Sequence, residues 1–291
     1  MTLIGRRSSV KSTAALSPVS LSGIRGTFKA FPAPVNIDSS GKIENIGVQL
    51  YTVRDHMANS VEDTISKVAE IGYKEVEFAG YFGRSAKQIR NILDDNGLVS
   101  PSVHIGLNDI EGDNFKALIE HAAVIGHKYI TMAGFDGAHR ETLDQLKNIT
   151  EIFNKAGEEC KKVGVQFAYH NHEFEFDAVE GVEPYDMFLK DINEDLMVME
   201  MDLFWIIKAG RNPFTYFERN PGRYHMCHVK DMAGDGSMVD VGEGYIDFAK
   251  IFAASEKAGL KHYFVEHDNP KNSLESINFS CESLQKMKVG I

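Results

Sequence analysis

The chain has 291 residues, 43% hydrophobic and 25% charged, with a net charge of −11, so it can bury one large core. That length suits one α/β barrel or two smaller domains. The acidic balance argues against a nucleic-acid partner, whose phosphates require a basic surface, and no run approaches the roughly 18 apolar residues of a membrane span.

The first 45 residues differ from the rest. MTLIGRRSSVKSTAALSPVSLSGI carries the pair Arg6-Arg7, no acidic residue, and a weakly apolar stretch behind it. It resembles a twin-arginine export signal in which Ser9-Val10 replaces the usual bulky pair. The expectation is a tail over 1–45, export to the periplasm, and a single folded domain over 46–291. A basic tail on a cytoplasmic protein is the alternative. The three cysteines, Cys160, Cys227 and Cys281, have no CxxC spacing, so they make neither a disulfide framework nor a zinc ribbon.

From residue 46 one punctuation recurs. AEIGYKEVEF, DDNGLVSPSVH, AVIGHKYITM, KKVGVQFAYH and EKAGLKHYFVEH each end a helical pattern at a glycine and then launch a short apolar strand. Gly72, Gly97, Gly126, Gly164 and Gly259 stand where a helix end needs a left-handed residue. Alternating helix and strand favours a parallel sheet with crossover helices. Eight strands are predicted to start near Ile46, Lys74, Val99, Lys128, Val165, Leu196, Arg223 and Lys261. The intervening helices show apolar spacings of three and four, as in VEDTISKVAEI and NFKALIEHAAVI. Eight such units over 46–291 fit the ~250 residues usual for a (β/α)8 TIM barrel. A doubly wound sheet would show GxGxxG or a P-loop after an early strand, and neither is present.

In such a barrel the chemistry sits at the carboxyl ends of the strands. Seven of the predicted strands end in polar groups: VQLYTVRD, VEFAG, SVHIG, YHNHEF, VMEMD, CHVKD and VEHD; the fourth, YITMAG, does not. Period-two alternation puts Ala168, His170 and His172 on one face of strand five, Glu200 and Asp202 on one face of strand six, His228 and Lys230 together on strand seven, and Phe264, Glu266 and Asp268 together on strand eight. If these faces point inward, His170, Asp202, His228 and Glu266 converge from four consecutive strands. Two imidazoles and two carboxylates suit Mn²⁺, Co²⁺, Fe²⁺, Zn²⁺ or, less well, Mg²⁺.

GVQLYTVRD, VEFAGYFG, the HNH of strand five, MDLFW, HVKDM, VGEGYIDF and VEHD, in that order, resemble the xylose isomerase-like barrels, the sugar phosphate isomerase/epimerase superfamily, over about residues 46–289. The resemblance implies one divalent ion held by a Glu, an Asp, a His and a Glu from strands five to eight. Asp202, His228 and Glu266 match in type and place. The fourth position falls on His170, where many relatives read Glu-Asn-His. In the family's epimerases the two glutamates also carry the protons, so His170 puts a two-glutamate epimerisation in doubt, although imidazole can itself move a proton. The expected chemistry is abstraction of a proton α to the carbonyl of a sugar by a metal-dependent isomerase or epimerase, with Mn²⁺ as the first ion to consider.

Glu266, His172 and Lys230 are the expected catalytic groups. Lys230 would steady an oxyanion or donate to a leaving hydroxyl, or else form an ion pair with Asp231 or Glu243. Glu77, His104, Trp205 and Glu243 are the expected substrate contacts; for Glu77 a salt bridge to Arg54 is the alternative. Glu173 and Glu175 read as supporting residues, Phe174 and Phe176 as pocket wall or packing, and Gly242-Glu243-Gly244 as a mobile loop. HVKDM with the following loop also resembles the inosose dehydratase branch, in which β-elimination follows the same proton removal; a keto-glycoside lyase belongs with it. An abasic-site endonuclease of the same superfamily would need further ligands, for which His104 and His225 are conceivable. A sugar-binding barrel without catalysis is the remaining alternative. A small-molecule sugar is the expected partner, and since barrels of this family often pair, the resemblance is compatible with a homo-oligomer.

Overall fold

The computed structural model describes residues 37, 38, 40–110 and 112–290, so the export-signal motif lies outside the described residues. Ten strands follow in chain order: β1 (Ile46–Gln49), β2 (Glu75–Ala79), β3 (Val99–Ile105), β4 (Tyr129–Met132), β5 (Gln166–His170), β6 (Met197–Asp202), β7 (Tyr224–Val229), β8 (Asp231–Met232), β9 (Met238–Val239) and β10 (His262–Val265). Strands β1 to β7 and β10 form a closed parallel barrel in chain order, with β10 returning to β1 at Gly47↔Phe264. The pair β8 and β9 is a separate antiparallel ribbon in the loop after β7. Every predicted strand start lies within one residue of the observed one.

Local chemistry starts the helices. Ser85 and Thr142 form capping boxes with Gln88 and Gln145, and the Ser60 side chain caps helix Val61–Ile71. Each such cap satisfies amides that the first helical turn leaves unpaired. Helix Leu143–Lys162 buries Leu146, Ile149, Phe153, Ala156 and Cys160 along one face, the spacing that seats it on the barrel. The five junction glycines all take positive φ. At Gly259 a side chain is doubly excluded: φ is +89°, and a Cβ would meet the Gly222 backbone at 2.8 Å.

Inside the barrel, Tyr129, Ala168, Val198, Met226 and Phe264 form a small apolar cluster of their own. Two residues further along the same strands stand His170, Glu200, His228 and Glu266, so one apolar layer is the floor beneath a titratable one. Register irregularities between Glu75 and Glu77 on β2, and between Met199 and Glu200 on β6, occur beside two of the acidic residues that face this layer. Part of the stretch that the sequence sets apart as tail packs on the barrel: Ile37 bridges Ile43, Ile43 is buried, and the Val289 amide donates to the Gly41 carbonyl.

Candidate active site

His170, Asp202, His228 and Glu266 are all buried and each offers one donor atom, the four lying within 4.8 Å of one another. His170 Nε2 stands 3.2 Å from Asp202 Oδ2. His228 Nδ1 and Glu266 Oε2 approach to 2.6 Å, and the Lys230 ammonium lies 2.8 Å from the same Glu266 oxygen. Four buried donor atoms that converge this closely in a mixed N/O set fit a divalent cation. Burial, with His228 nearby, holds the His170 imidazole well below its ordinary pKa, hence neutral and able to ligate. Burial opposes charge on His228 too, but the Glu200 and Glu266 carboxylates outweigh it and keep the imidazolium. Metal binding would displace that proton from Nδ1.

Lys230 supplies positive charge to the same place. Its ammonium is buried, 3.0 Å from Asp202, 2.8 Å from Glu266 and 2.8 Å from Asp268. Burial disfavours the charge, yet these three carboxylates hold the Lys230 pKa well above its ordinary value. The expected partners Asp231 and Glu243 are not its partners. Asp231 instead accepts from four backbone amides, those of Met232, Gly242, Gly244 and Ile246. The loop expected to be mobile is therefore tied to the end of β7 by one buried carboxylate, and a Cβ on Gly244 would lie 2.1 Å from it.

A second quartet lies on the other side of His228: Glu77, His104, Glu200 and His228. Glu77 is fully buried, accepting from His228 Nε2 and Gln49 Nε2, each at 2.8 Å. It is thus neither bordering the cavity described below nor paired with Arg54, which bonds the Tyr51 carbonyl and Asn269. Glu77 faces into the barrel beside His104, Glu200 and His228, and like Glu266 and Lys230 it does not border the cavity. By holding the Nε2 proton, Glu77 leaves Nδ1 as the nitrogen facing Asp202 and Glu266, an arrangement that orients metal-binding histidines. Glu77→Gln is expected to weaken divalent-ion affinity by about 10–100-fold, read by calorimetric titration. Glu200, not among the expected site residues, accepts from or donates to His104 Nε2 at 2.6 Å. Its signal was its shared face with Asp202; its place two residues short of the strand end hid it.

Above the quartets opens a cavity of about 890 Å³, bordered by His104, His172, Phe174, Trp205, Tyr51 and Phe135 among others. The His172 ring lies 4.8 Å from that of His170 and is flanked by Phe174 and Trp205. Burial and then Lys230 push the His172 pKa down to about 4, so its imidazole is neutral. Strand β4 brings no charged group, but the segment after it contributes Gly134, where a Cβ would crowd His172 at 3.2 Å. Trp205 follows Asp202 because the Asp202 side chain caps helix Leu203–Lys208, accepting from the Trp205 amide at 2.9 Å. Glu173 borders the cavity, whereas Glu243 is exposed and does not. Phe176 packs against Tyr185. His225 stands at the start of β7 against Tyr129 and Lys261, far along the strand from His228.

Glu175 braces this floor, accepting from Tyr169 Oη at 2.6 Å and the His172 amide at 2.8 Å. Its burial raises its pKa to about 7. A raised acid binds its proton more tightly in the folded state, so stability is fullest below the unfolded value near 4.5 and falls as pH rises toward 7. Across that window wild type is expected to lose about 3 kcal/mol relative to Glu175→Gln, measured by urea unfolding at pH 5 and 8. Equal pH dependence in the two proteins would refute the assignment.

Comparison with known proteins places this geometry. A family model described as xylose isomerase-like TIM barrel matches residues 65–286. A sugar phosphate isomerase/epimerase from Parabacteroides distasonis superposes with a TM-score of 0.72 at 26% identity, covering 88% of this chain and 98% of its own. A xylose isomerase-like barrel from Mycobacterium smegmatis, solved with magnesium, shares the fold at a TM-score of 0.62 and 14% identity, over 83% of this chain and 95% of its own. An inosose dehydratase of Clostridium perfringens is 23% identical over 245 residues, 71% of this chain and 82% of that protein. Closed barrel, strand-end donor groups and matched model agree: the chain belongs to the xylose isomerase-like TIM barrel family.

Proposed function

We propose that the protein is a divalent-metal-dependent enzyme that removes a proton α to the carbonyl of a keto-sugar, as an isomerase or epimerase. One observation carries the reading: four mixed N/O donors converge beneath a neutral histidine that floors an open cavity. His170, Asp202, His228 and Glu266 would hold the ion, with Mn²⁺ the first to load and Co²⁺, Fe²⁺, Zn²⁺ and Mg²⁺ as alternatives. A divalent ion there supplies positive charge next to a substrate carbonyl, which lowers the cost of forming the adjacent carbanion.

The chain's own residues do the rest. Glu266 is kept ionised against the pull of burial by Lys230 and His228, so it presents a carboxylate rather than an acid. It takes the α-proton and, as the resulting acid, returns it to the adjacent carbon, while His172, neutral and at the cavity floor, accepts a proton from a substrate hydroxyl. Lys230 holds three carboxylates in place and carries a proton next to them. That last feature favours a second reading. An ammonium beside the reacting carbon can donate to a departing hydroxyl, and the relatives named inosose dehydratase make β-elimination the natural alternative.

The test is solvent exchange. Metal-loaded protein incubated with keto-sugars in D₂O should incorporate deuterium at the α-carbon, followed by NMR, and the metal-free protein should not. A new sugar then identifies the isomerase branch, and an α,β-unsaturated carbonyl the lyase branch. Absence of exchange with every keto-sugar tried, in protein shown to hold its ion, would sink the proposal.

A further inference from the structure

The cavity says more about the substrate than the metal quartet does. At about 890 Å³ it is near the upper end of the ~300–1,000 Å³ typical of small-molecule sites and exceeds what one sugar ring fills. Its aromatic walls are Tyr51, Phe135, Phe174 and Trp205, and its border carries the carboxylates of Asp109, Asp136, Glu173 and Asp177. No lysine or arginine borders it among the described residues.

The neighbouring cations lie against the aromatic walls rather than on the cavity border. The Arg54 guanidinium lies 4.1 Å from the Tyr51 ring centre, Arg140 lies 3.4 Å from that of Phe174, and the Lys208 ammonium lies 4.9 Å from that of Trp205. Each stacks on an aromatic wall and none of the three borders the cavity itself; of them, Arg140 keeps one buried guanidinium nitrogen without a hydrogen-bond partner. Lys230 is buried among its three carboxylates. A phosphate group held at this border would meet four carboxylates and no bordering lysine or arginine, and like charges at such range repel. Apolar sugar faces, by contrast, find flat aromatic surfaces, and their hydroxyls find carboxylate acceptors.

We infer that the substrate is an unphosphorylated keto-sugar carrying a second neutral ring, a glycoside or disaccharide, with that ring seated among Tyr51, Phe135, Phe174 and Trp205. The inference rests on the keto-sugar reading above and narrows it. It departs from the phosphorylated class named by the Parabacteroides neighbour.

Trp205 is the only tryptophan in the chain and borders the cavity, so its fluorescence reports occupancy without any need for turnover. Three probes share one keto-sugar: fructose, fructose 6-phosphate, and isomaltulose, which carries a glucose ring in place of the phosphate. Titrated against metal-loaded protein, isomaltulose is expected to half-saturate at a concentration at least about tenfold below either of the others, the gain of one to two aromatic contacts. Phe174→Ala should erase most of that advantage. Asp136→Lys, at an exposed position on the cavity border, should narrow the gap between fructose 6-phosphate and fructose.

Tighter binding of fructose 6-phosphate than of isomaltulose overturns the inference, as does equal binding of isomaltulose and fructose. Deuterium exchange separates the two claims. Exchange with the wrong affinity order leaves the chemistry standing and removes the glycoside; the right order without exchange removes the chemistry and keeps the pocket.

Discussion

Asp202→Ala is expected to reduce bound divalent ion from about one equivalent to none after desalting, and α-proton exchange by at least about a thousandfold, the scale on which removing an electrostatic stabiliser of developing charge acts. The Asp202 side chain has two jobs. One oxygen stands 3.2 Å from His170 Nε2 and 3.0 Å from the Lys230 ammonium, at the centre of the quartet. The other caps helix Leu203–Lys208, a contact whose loss costs about 1 kcal/mol. Asp202→Asn separates them, because asparagine caps a helix as well as aspartate while bringing no charge to the ion. If metal loss is a ligand effect, Ala and Asn behave alike toward the ion and only Ala lowers the unfolding midpoint. Retention of a full equivalent by both variants would mean that the ion binds elsewhere.

The barrel was legible because its punctuation is local. A helix end needing positive φ writes a glycine into the chain, and five such glycines followed by apolar runs expose the repeat. The quartet was legible for a related reason: barrel chemistry sits at strand ends, and alternation selects which end residues face inward, so His170, Asp202, His228 and Glu266 could be picked without a structure. Depth was not legible. Glu77 also stands near a strand end, but the stagger of barrel strands and the irregular β2–β3 register bring it beside His228 rather than to the cavity border. Side-chain partners across the barrel were equally hidden. Asp231 follows Lys230 directly, yet period two sends it the opposite way, to four loop amides, while Lys230 finds Asp268 at the end of another strand. Of the cavity's aromatic walls, Phe174 and Trp205 could be read from their places just beyond strand ends, whereas Tyr51 and Phe135 come from other segments and no sequence spacing relates them.

Lys230→Met is expected to destabilise the metal-free protein by about 3–5 kcal/mol, the cost of leaving buried charges without their partner, and a saturating divalent ion is expected to recover most of that loss. The geometry leaves little alternative. The Lys230 ammonium lies within 3.0 Å of Asp202, Glu266 and Asp268, and Asp202 and Glu266 are also metal ligands in the proposed site. Methionine fills a similar volume, so the substitution removes charge more than packing. Without lysine or ion, the carboxylates must either repel one another or take up protons, and Asp268, whose pKa burial already raises, takes one readily. Loss of stability is therefore larger at pH 8 than at pH 5.5, where protonation relieves the repulsion. Added Mn²⁺ brings two positive charges to the same oxygens and narrows the gap between variant and wild type at either pH. Unfolding midpoints measured in EDTA and in excess Mn²⁺ decide it: a gap that is the same in both solutions shows that Lys230 acts on the fold independently of the ion, and a gap that closes with Mn²⁺ shows that lysine and metal neutralise one set of carboxylates.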